Sequence, residues 1–208
     1  MSTRLKIGLR KTPSATRERG RQRRKLLLKA AYDLLCVRPV EDISFRDIAN
    51  EAGIPEGSAY HFFANRFDVF SALAKELSDL FIKAHQQRLS ASRRKSWRAL
   101  AEHLVDVGAK VYAENPPARQ LLIGGKTPPE VKQADRINDR AVGNVMYEVF
   151  SEHFELPDSD EMRSAFYYFI EITDVIFTLS VIEHGKITPR MLAEAKRAGV
   201  GYQGTYLE

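Results

Sequence analysis

The sequence predicts an all-α protein, on three observations. Apolar residues recur at three- and four-residue spacing along most of the chain, the period of a helix with one buried face. No run alternates apolar and polar residues convincingly enough for a half-buried strand. Serine, asparagine, glycine and proline stand where helices start and stop. The 208 residues are 44% hydrophobic and 28% charged, an ordinary globular balance, and the chain is long enough to build a core without covalent staples.

Leu27, Ala30, Ala31, Leu34 and Leu35 mark a first helix over about 18–36, which the segment VRPVEDIS breaks. Ser44 and Asp47 form an S-x-x-D capping box opening a second helix, with Phe45, Ile48, Ala49 and Ala52 as its apolar stripe. Gly53 suits a left-handed helix end, and Pro55 suits the first position of a short third helix. Asn65 to Asp68 cap a fourth helix reaching about residue 90. Two short helices joined by a three- or four-residue glycine-containing turn are the outline of a helix-turn-helix. Longer helices are expected over about 94–114, 128–154, 159–185 and 189–199, separated by Asn115-Pro-Pro117, Gly124-Gly125 with Pro128-Pro129, Leu156-Pro157, and Gly185 with Pro189.

Charge is unevenly spread. The net charge is +5, yet residues 1–25 carry +9, from Arg4, Lys6, Arg10, Lys11, Arg17, Arg19, Arg21, Arg23, Arg24 and Lys25 against Glu18, which leaves −4 for the rest. A basic arm on a slightly acidic body is the outline of a protein that grips a polyanion with one end, although a solvated tail has the same charge pattern. The arm lacks the apolar face that would lay it on a membrane. The single cysteine, Cys36, excludes an intramolecular disulfide and points to a reducing, cytoplasmic setting. The first twenty residues have no apolar core, so they do not read as a secretory signal. The most apolar stretch, 166–182, holds Glu171 and Asp174 and falls short of the ~20 apolar residues of a membrane span. Neither a membrane nor a secreted protein is expected.

Catalytic and phosphate-binding patterns fail on context. Gly199, Gly201 and Gly204 spell G-x-G-x-x-G, but they follow a helix, and too little chain remains to form the helix that would hold a pyrophosphate. Their expected place is a flexible C-terminus. Gly125-Lys126-Thr127 resembles the end of a phosphate-binding loop, but Gln120 stands where the earlier glycine is required. The five histidines (61, 85, 103, 153 and 184) form no H-E-x-x-H pattern, and with one cysteine no zinc set is expected. No catalytic residue, metal or cofactor is assigned.

The stretch SFRDIANEAGIPEGSAYHFFANRFDVF, residues 44–70, closely resembles the DNA-binding region of the TetR (tetracycline-repressor-like) family of bacterial transcription regulators. The residues that carry the likeness are Ser44, Arg46, Asp47, Ile48, Ala49, Ala52, Gly53, Ile54, Gly57, Tyr60, His61, Phe62, Phe63, Arg66 and Val69. The likeness covers about residues 21–81 in motif detail and the remainder in length and helicity alone. It implies a homeodomain-like head of three helices over 21–81 (motif about 44–63) behind a basic, flexible arm of residues 1–20, and a helical ligand-binding and dimerisation domain over 82–208. The third helix would enter the major groove of double-stranded DNA with Pro55, Glu56, Gly57, Ser58 and Ala59 nearest the bases. Tyr60 and His61 would contact phosphates, as would Ser44 and Arg46 at the start of the second helix and Arg66 at the start of the fourth. Ile48, Ala49, Ala52, Ile54 and Phe62 or Phe63 would pack the core of the head. Tyr60 and Phe63 also suit ordinary core aromatics, and Arg46 and Arg66 solvated charges. Pro55 and Glu56 depart from the family pattern: proline can neither cap the third helix nor bind phosphate, and Glu56 would repel phosphate but accept a bond from cytosine. Residues 26–70 sum to −3, so the arm, Arg17 to Lys25 with Arg24 among them, is expected to supply much of the electrostatic affinity.

In the 159–185 helix, Phe166, Phe169, Ile170, Thr173, Phe177 and Val181 line one face, and Tyr168, Ile172, Val175, Leu179 and Ile182 line another. A helix apolar on both sides needs covering on both. A homodimer is expected, and the resemblance implies a four-helix bundle with a second copy. It also implies a small-molecule effector, here mostly apolar or aromatic, for which Trp97, His103, Tyr112, Tyr147, Phe150 and Glu171 are the candidate liners. The expected function is a ligand-responsive repressor on a palindromic operator. The alternative is a ligand-independent DNA-binding architectural or partner-docking protein.

Overall fold

The structure, a computed structural model, describes residues 13–87 and 90–207. The helices are α1 (Pro13–Val37), α2 (Phe45–Glu51), α3 (Glu56–Ala59), α4 (Arg66–His85), α5 (Trp97–Glu114), α6 (Pro116–Leu121), α7 (Pro129–Ser151), α8 (Asp160–His184) and α9 (Pro189–Gln203). No strand occurs among the described residues, as the apolar spacing predicts.

Local chemistry places the boundaries in the head. Ser44 caps α2 as expected, its hydroxyl oxygen accepting from the Asp47 N–H while the Asp47 carboxylate accepts from the Ser44 N–H. Gly53 takes φ +64, the left-handed conformation that a side chain disfavours, and turns the chain into α3. Pro55 stands one place earlier than the pattern predicts: it is the N-cap residue, and Glu56 is the first residue of α3. Asn65 caps α4 through the Phe67 and Asp68 N–H groups, and α4 ends at His85 rather than near residue 90.

Helix α1 starts at Pro13, earlier than the expected residue 18, so residues 13–20 of the predicted arm continue this helix. Periodicity could not show it, because residues 17–19 and 21–26 are exposed and an unburied turn needs no apolar stripe. Arg4, Lys6, Arg10 and Lys11 lie outside the described residues. Helix α6 is not expected from the sequence pattern. The prolines that suggest a break there occupy its first turn, where a missing N–H leaves no bond unmade.

The core runs without interruption from head to body. Leu27, Ala31 and Leu35 of α1 pack with Ile43, Ile48, Ala49, Phe63 and Phe70, and α4 carries the core onward to α7. Helix α8 lies against both α7 and α9. The expected flexible C-terminus is instead the last turn of α9: Gly199 is buried, and a Cβ there would come within 2.7 Å of the Phe169 ring of α8. Helix α8 is long and apolar enough to cross a membrane, with a mean hydropathy of 1.6, although the count over 166–182 puts it short of one. Its row Phe166, Phe169, Ile170, Thr173 and Phe177 is buried inside the fold.

Candidate nucleic-acid interface and internal cavity

Residues three and four apart share a face of a helix. From α3 into the following turn, that spacing brings Gly57, Tyr60 and His61 outward together, while Ala59 and Phe63 turn into the core. Tyr60 is 52% exposed. Its ring lies 4.7 Å from that of Phe45, the first residue of α2, so the α2 start with Ser44 and exposed Arg46 adjoins the α3 face. The Tyr60 hydroxyl donates to Glu56 Oε1 at 3.3 Å, which occupies the carboxylate that would otherwise face phosphate alone. Pro55 is exposed and offers α3 no side-chain cap, and Ser58 is half-buried. Gly57 is exposed, and a Cβ there would meet nothing within 4 Å.

The predicted cations have distinct local settings. The Arg24 guanidinium sits over the Phe63 ring, 4.3 Å from its centroid, which ties the exposed flank of α1 to the α3 turn. Arg46 has no carboxylate within ion-pair distance among the described residues. Arg66 is turned inward, where its Nη1 donates to the Ile43 carbonyl at 2.8 Å and to that of Glu41 at 3.2 Å, fastening α4 to the loop before α2. The Ser44 hydroxyl donates to the Asp47 carboxylate at 2.8 Å. Bonds from the Ser44 backbone and side chain, with Arg38 alongside, hold the Asp47 carboxyl below its ordinary range.

A second feature lies inside the body. A cavity of about 40 Å³ lies between α4, α5, α7 and α8, walled mainly by Phe81, Leu104, Val142, Met146, Phe169 and Phe177. Of the six expected liners, Tyr112 alone faces it. Trp97 edges a surface depression beside Phe154 and Leu156, and His103 is half-buried on α5 without lining the cavity. Tyr147 packs edge-on to Phe166 and points its hydroxyl at the Pro157 carbonyl, while Phe150 fills the core between Phe154 and Phe166. Glu171 forms an ion pair with Arg136 of α7.

The cavity's polar members, Ser78, His85, Asp139, Thr173 and Asp174, are not among the residues expected from the sequence. The available signal was an acidic residue inside an apolar stretch, since Asp is seldom buried without a partner. Asp174 breaks the α8 run in this way, and Asp139 lies on the α7 face buried against the core. Tyr112 donates to Asp174 Oδ2 at 2.8 Å, and Lys132 donates to Asp135 Oδ2 at 3.1 Å. Burial pushes the Asp139 carboxyl up to about 8, helped by the neighbouring Asp135 and Asp174, and the Asp174 carboxyl up to about 7. Burial moves His85 downward, toward the neutral imidazole.

A side chain of α6 joins body to head. Gln120 donates to the carbonyls of Leu35 at 2.6 Å and Arg38 at 2.9 Å, and accepts from the Val40 N–H at 2.8 Å. Beside it Lys126 pairs with Glu41, so Gly125-Lys126-Thr127 is a structural loop at this junction.

Comparisons with known proteins follow the same division. Residues 27–73 match the model described as bacterial regulatory proteins, tetR family, and residues 95–202 match the model described as tetracyclin repressor-like, C-terminal domain. No curated protein matches the sequence. Among solved structures, a TetR-family transcriptional regulator from Streptomyces coelicolor aligns with a TM-score of 0.69 at 22% identity, covering 89% of this chain and 99% of that one. A TetR transcriptional regulator from Rhodococcus sp. RHA1 aligns at 0.67 and 15% identity, covering 89% and 97%. The multidrug binding protein EbrR, complexed with imidazole, aligns at 0.63 and 17% identity, covering 87% and 89%.

Proposed function

The chain belongs to the TetR family of bacterial transcription regulators, and from that membership we propose that it is a homodimeric repressor of a palindromic operator, released by a small molecule. The observation that carries the reading is the outward face formed by Gly57, Tyr60 and His61. A glycine with no packing reason stands there beside an exposed hydroxyl and an exposed imidazole, which suits close approach to a phosphate backbone. Ser44, Arg46 and Arg24 flank this face, Arg66 supports it from beneath, and Pro55, Glu56 and Ser58 lead into it.

The dimer rests on α8. Tyr168, Val175, Leu179 and Ile182 form an exposed apolar stripe on the side away from the buried row. A two-fold axis lets such a stripe cover its own copy, and two heads related by that axis read a palindrome. The internal cavity is the place for an effector. EbrR, which shares the fold, is a multidrug binding protein, and that supports a comparable use of the cavity here. In this reading the chain acts by binding alone, with no catalytic residue, metal or cofactor, in the cytoplasm.

A ligand-independent DNA-binding module has one observation on its side, the small volume of the cavity. Gel shift on the DNA flanking the chain's own gene, with and without candidate small molecules, separates the two. We expect a shifted complex whose formation constant falls with salt at a log–log slope of about −4 to −5 per dimer, and which some ligand dissolves. Absence of a shift at low salt sinks the operator reading, and a shift indifferent to every ligand favours the alternative.

A further inference from the structure

The hydrogen-bonding capacity of the cavity wall is one-sided. The Tyr112 hydroxyl donates to Asp174, Ser78 to the Ala74 carbonyl at 2.9 Å, Thr173 to the Ile170 carbonyl at 2.9 Å, and His85 Nδ1 to the Phe81 carbonyl at 2.7 Å. These donors are all engaged within the protein. The groups left over are carboxyl oxygens: the second oxygen of Asp174 and the carboxyl of Asp139, which is only 7% exposed and receives no hydrogen bond from any described residue. The neighbouring cations are also engaged. Arg136 pairs with Glu171, and Lys132 bridges Asp135 and the Leu122 carbonyl at 2.5 Å. Two carboxyls therefore face an otherwise apolar space with no cation of their own, and a buried carboxylate without a partner is costly.

This inference rests on the ligand-responsive reading and gives its effector a chemistry. We propose that the cavity takes a protonated amine, whose ammonium group donates to Asp139 and Asp174 while an apolar or aromatic body displaces the wall. A space of about 40 Å³ suits the head group alone. The body makes its own room against Met146, whose unbranched side chain repacks readily.

Proton linkage follows. In the empty cavity, burial keeps Asp139 protonated near neutral pH, with Asp135 and Asp174 raising it and Lys132 and Arg136 only partly opposing them. Contact with an ammonium favours the carboxylate. Binding near pH 7 thus expels a proton, and affinity rises as pH climbs toward about 8. Neutral His85 and the Tyr112 phenol, held protonated by burial and by Asp174, take no part in this window.

The test is calorimetric titration of the full chain with phenethylammonium chloride and with 2-phenylethanol, its neutral counterpart of like shape, in two buffers of different ionisation enthalpy. The amine is expected to bind at least about tenfold more tightly than the alcohol, with net proton release near pH 7 drawn mainly from Asp139 and in part from Asp174. Asp139→Asn, shown folded by its circular dichroism melt, should lose at least about tenfold in amine affinity and most of the proton release, a larger loss than it causes for the alcohol; Asp174→Asn is the second variant. An alcohol bound as tightly as the amine, or amine affinity indifferent to both variants, overturns the proposal. So does a series from methylammonium to phenethylammonium without measurable binding. Operator release is read separately by gel shift. Amine binding that leaves the operator complex intact sinks the regulatory reading and keeps the charge assignment, whereas release by a neutral compound that binds the cavity does the reverse.

Discussion

At Gly57 and Gly53 the same residue type serves opposite ends. A Cβ at Gly57 would meet nothing, and its backbone is not left-handed, so the chain itself does not require glycine there. Gly57→Ala is therefore expected to leave the melting temperature unchanged or raise it, by up to ~1 kcal/mol of helix propensity, while operator affinity in gel shift falls. Gly53 has φ +64, and Gly53→Ala should cost about 1 kcal/mol in thermal denaturation. Asp139 gives a residue-scale signature in pH. Its folded pKa of about 8 lies above the unfolded value, so the folded chain binds more protons and stability declines as pH rises from about 4 to about 8. Replacing it with asparagine removes that decline. The stability of Asp139→Asn relative to the parent should therefore increase by roughly 3–4 kcal/mol between about pH 5 and pH 8, read from denaturant titrations.

Among the elements, α6 holds the head to the body. Its Gln120 satisfies two carbonyls and one N–H at the end of α1 and in the chain just beyond it, and Leu122, which closes the helix, lines the cavity. Removing that side chain leaves partly buried backbone groups without partners, at roughly 1–3 kcal/mol. Gln120→Ala should lower the melting temperature accordingly. It should also reduce the ligand-induced change in operator affinity more than operator affinity itself, which gel shifts with and without ligand would measure.

Across the whole molecule, the exposed stripe of α8 is expected to set the oligomeric state. Leu179→Glu places a charge where a second copy would pack, while its own position is exposed and needs no repacking within the chain. The variant should sediment as a monomer with an unchanged helical spectrum and lose operator affinity by at least about tenfold. Salt dependence belongs to this scale too, because residues 26–70, which hold the helix-turn-helix, sum to −3. Deletion of residues 1–12, which removes Arg4, Lys6, Arg10 and Lys11, should make the salt slope shallower by about 0.9 for each phosphate those residues neutralise.

Much of this molecule could be read from local chemistry. Capping at Ser44 and Asn65, the left-handed turn at Gly53 and the two faces of α8 depend on neighbours within a few positions, and spacing alone reveals them. The family likeness was legible for the same reason, since its head is built from short-range turns. Other features waited for the packed chain. Residues 17–19 and 21–26 of α1 are exposed and carry no apolar period, and α6 hides behind prolines that open a helix as readily as they end one. The cavity brings Tyr112, Asp139 and Asp174 together from three helices far apart in sequence, and no local pattern distinguishes Tyr112, which faces it, from Tyr147, which fills the core. Which side chains meet across helices is decided by how those helices pack, and the same long-range burial moves the carboxyl pKa values that give the cavity its chemistry.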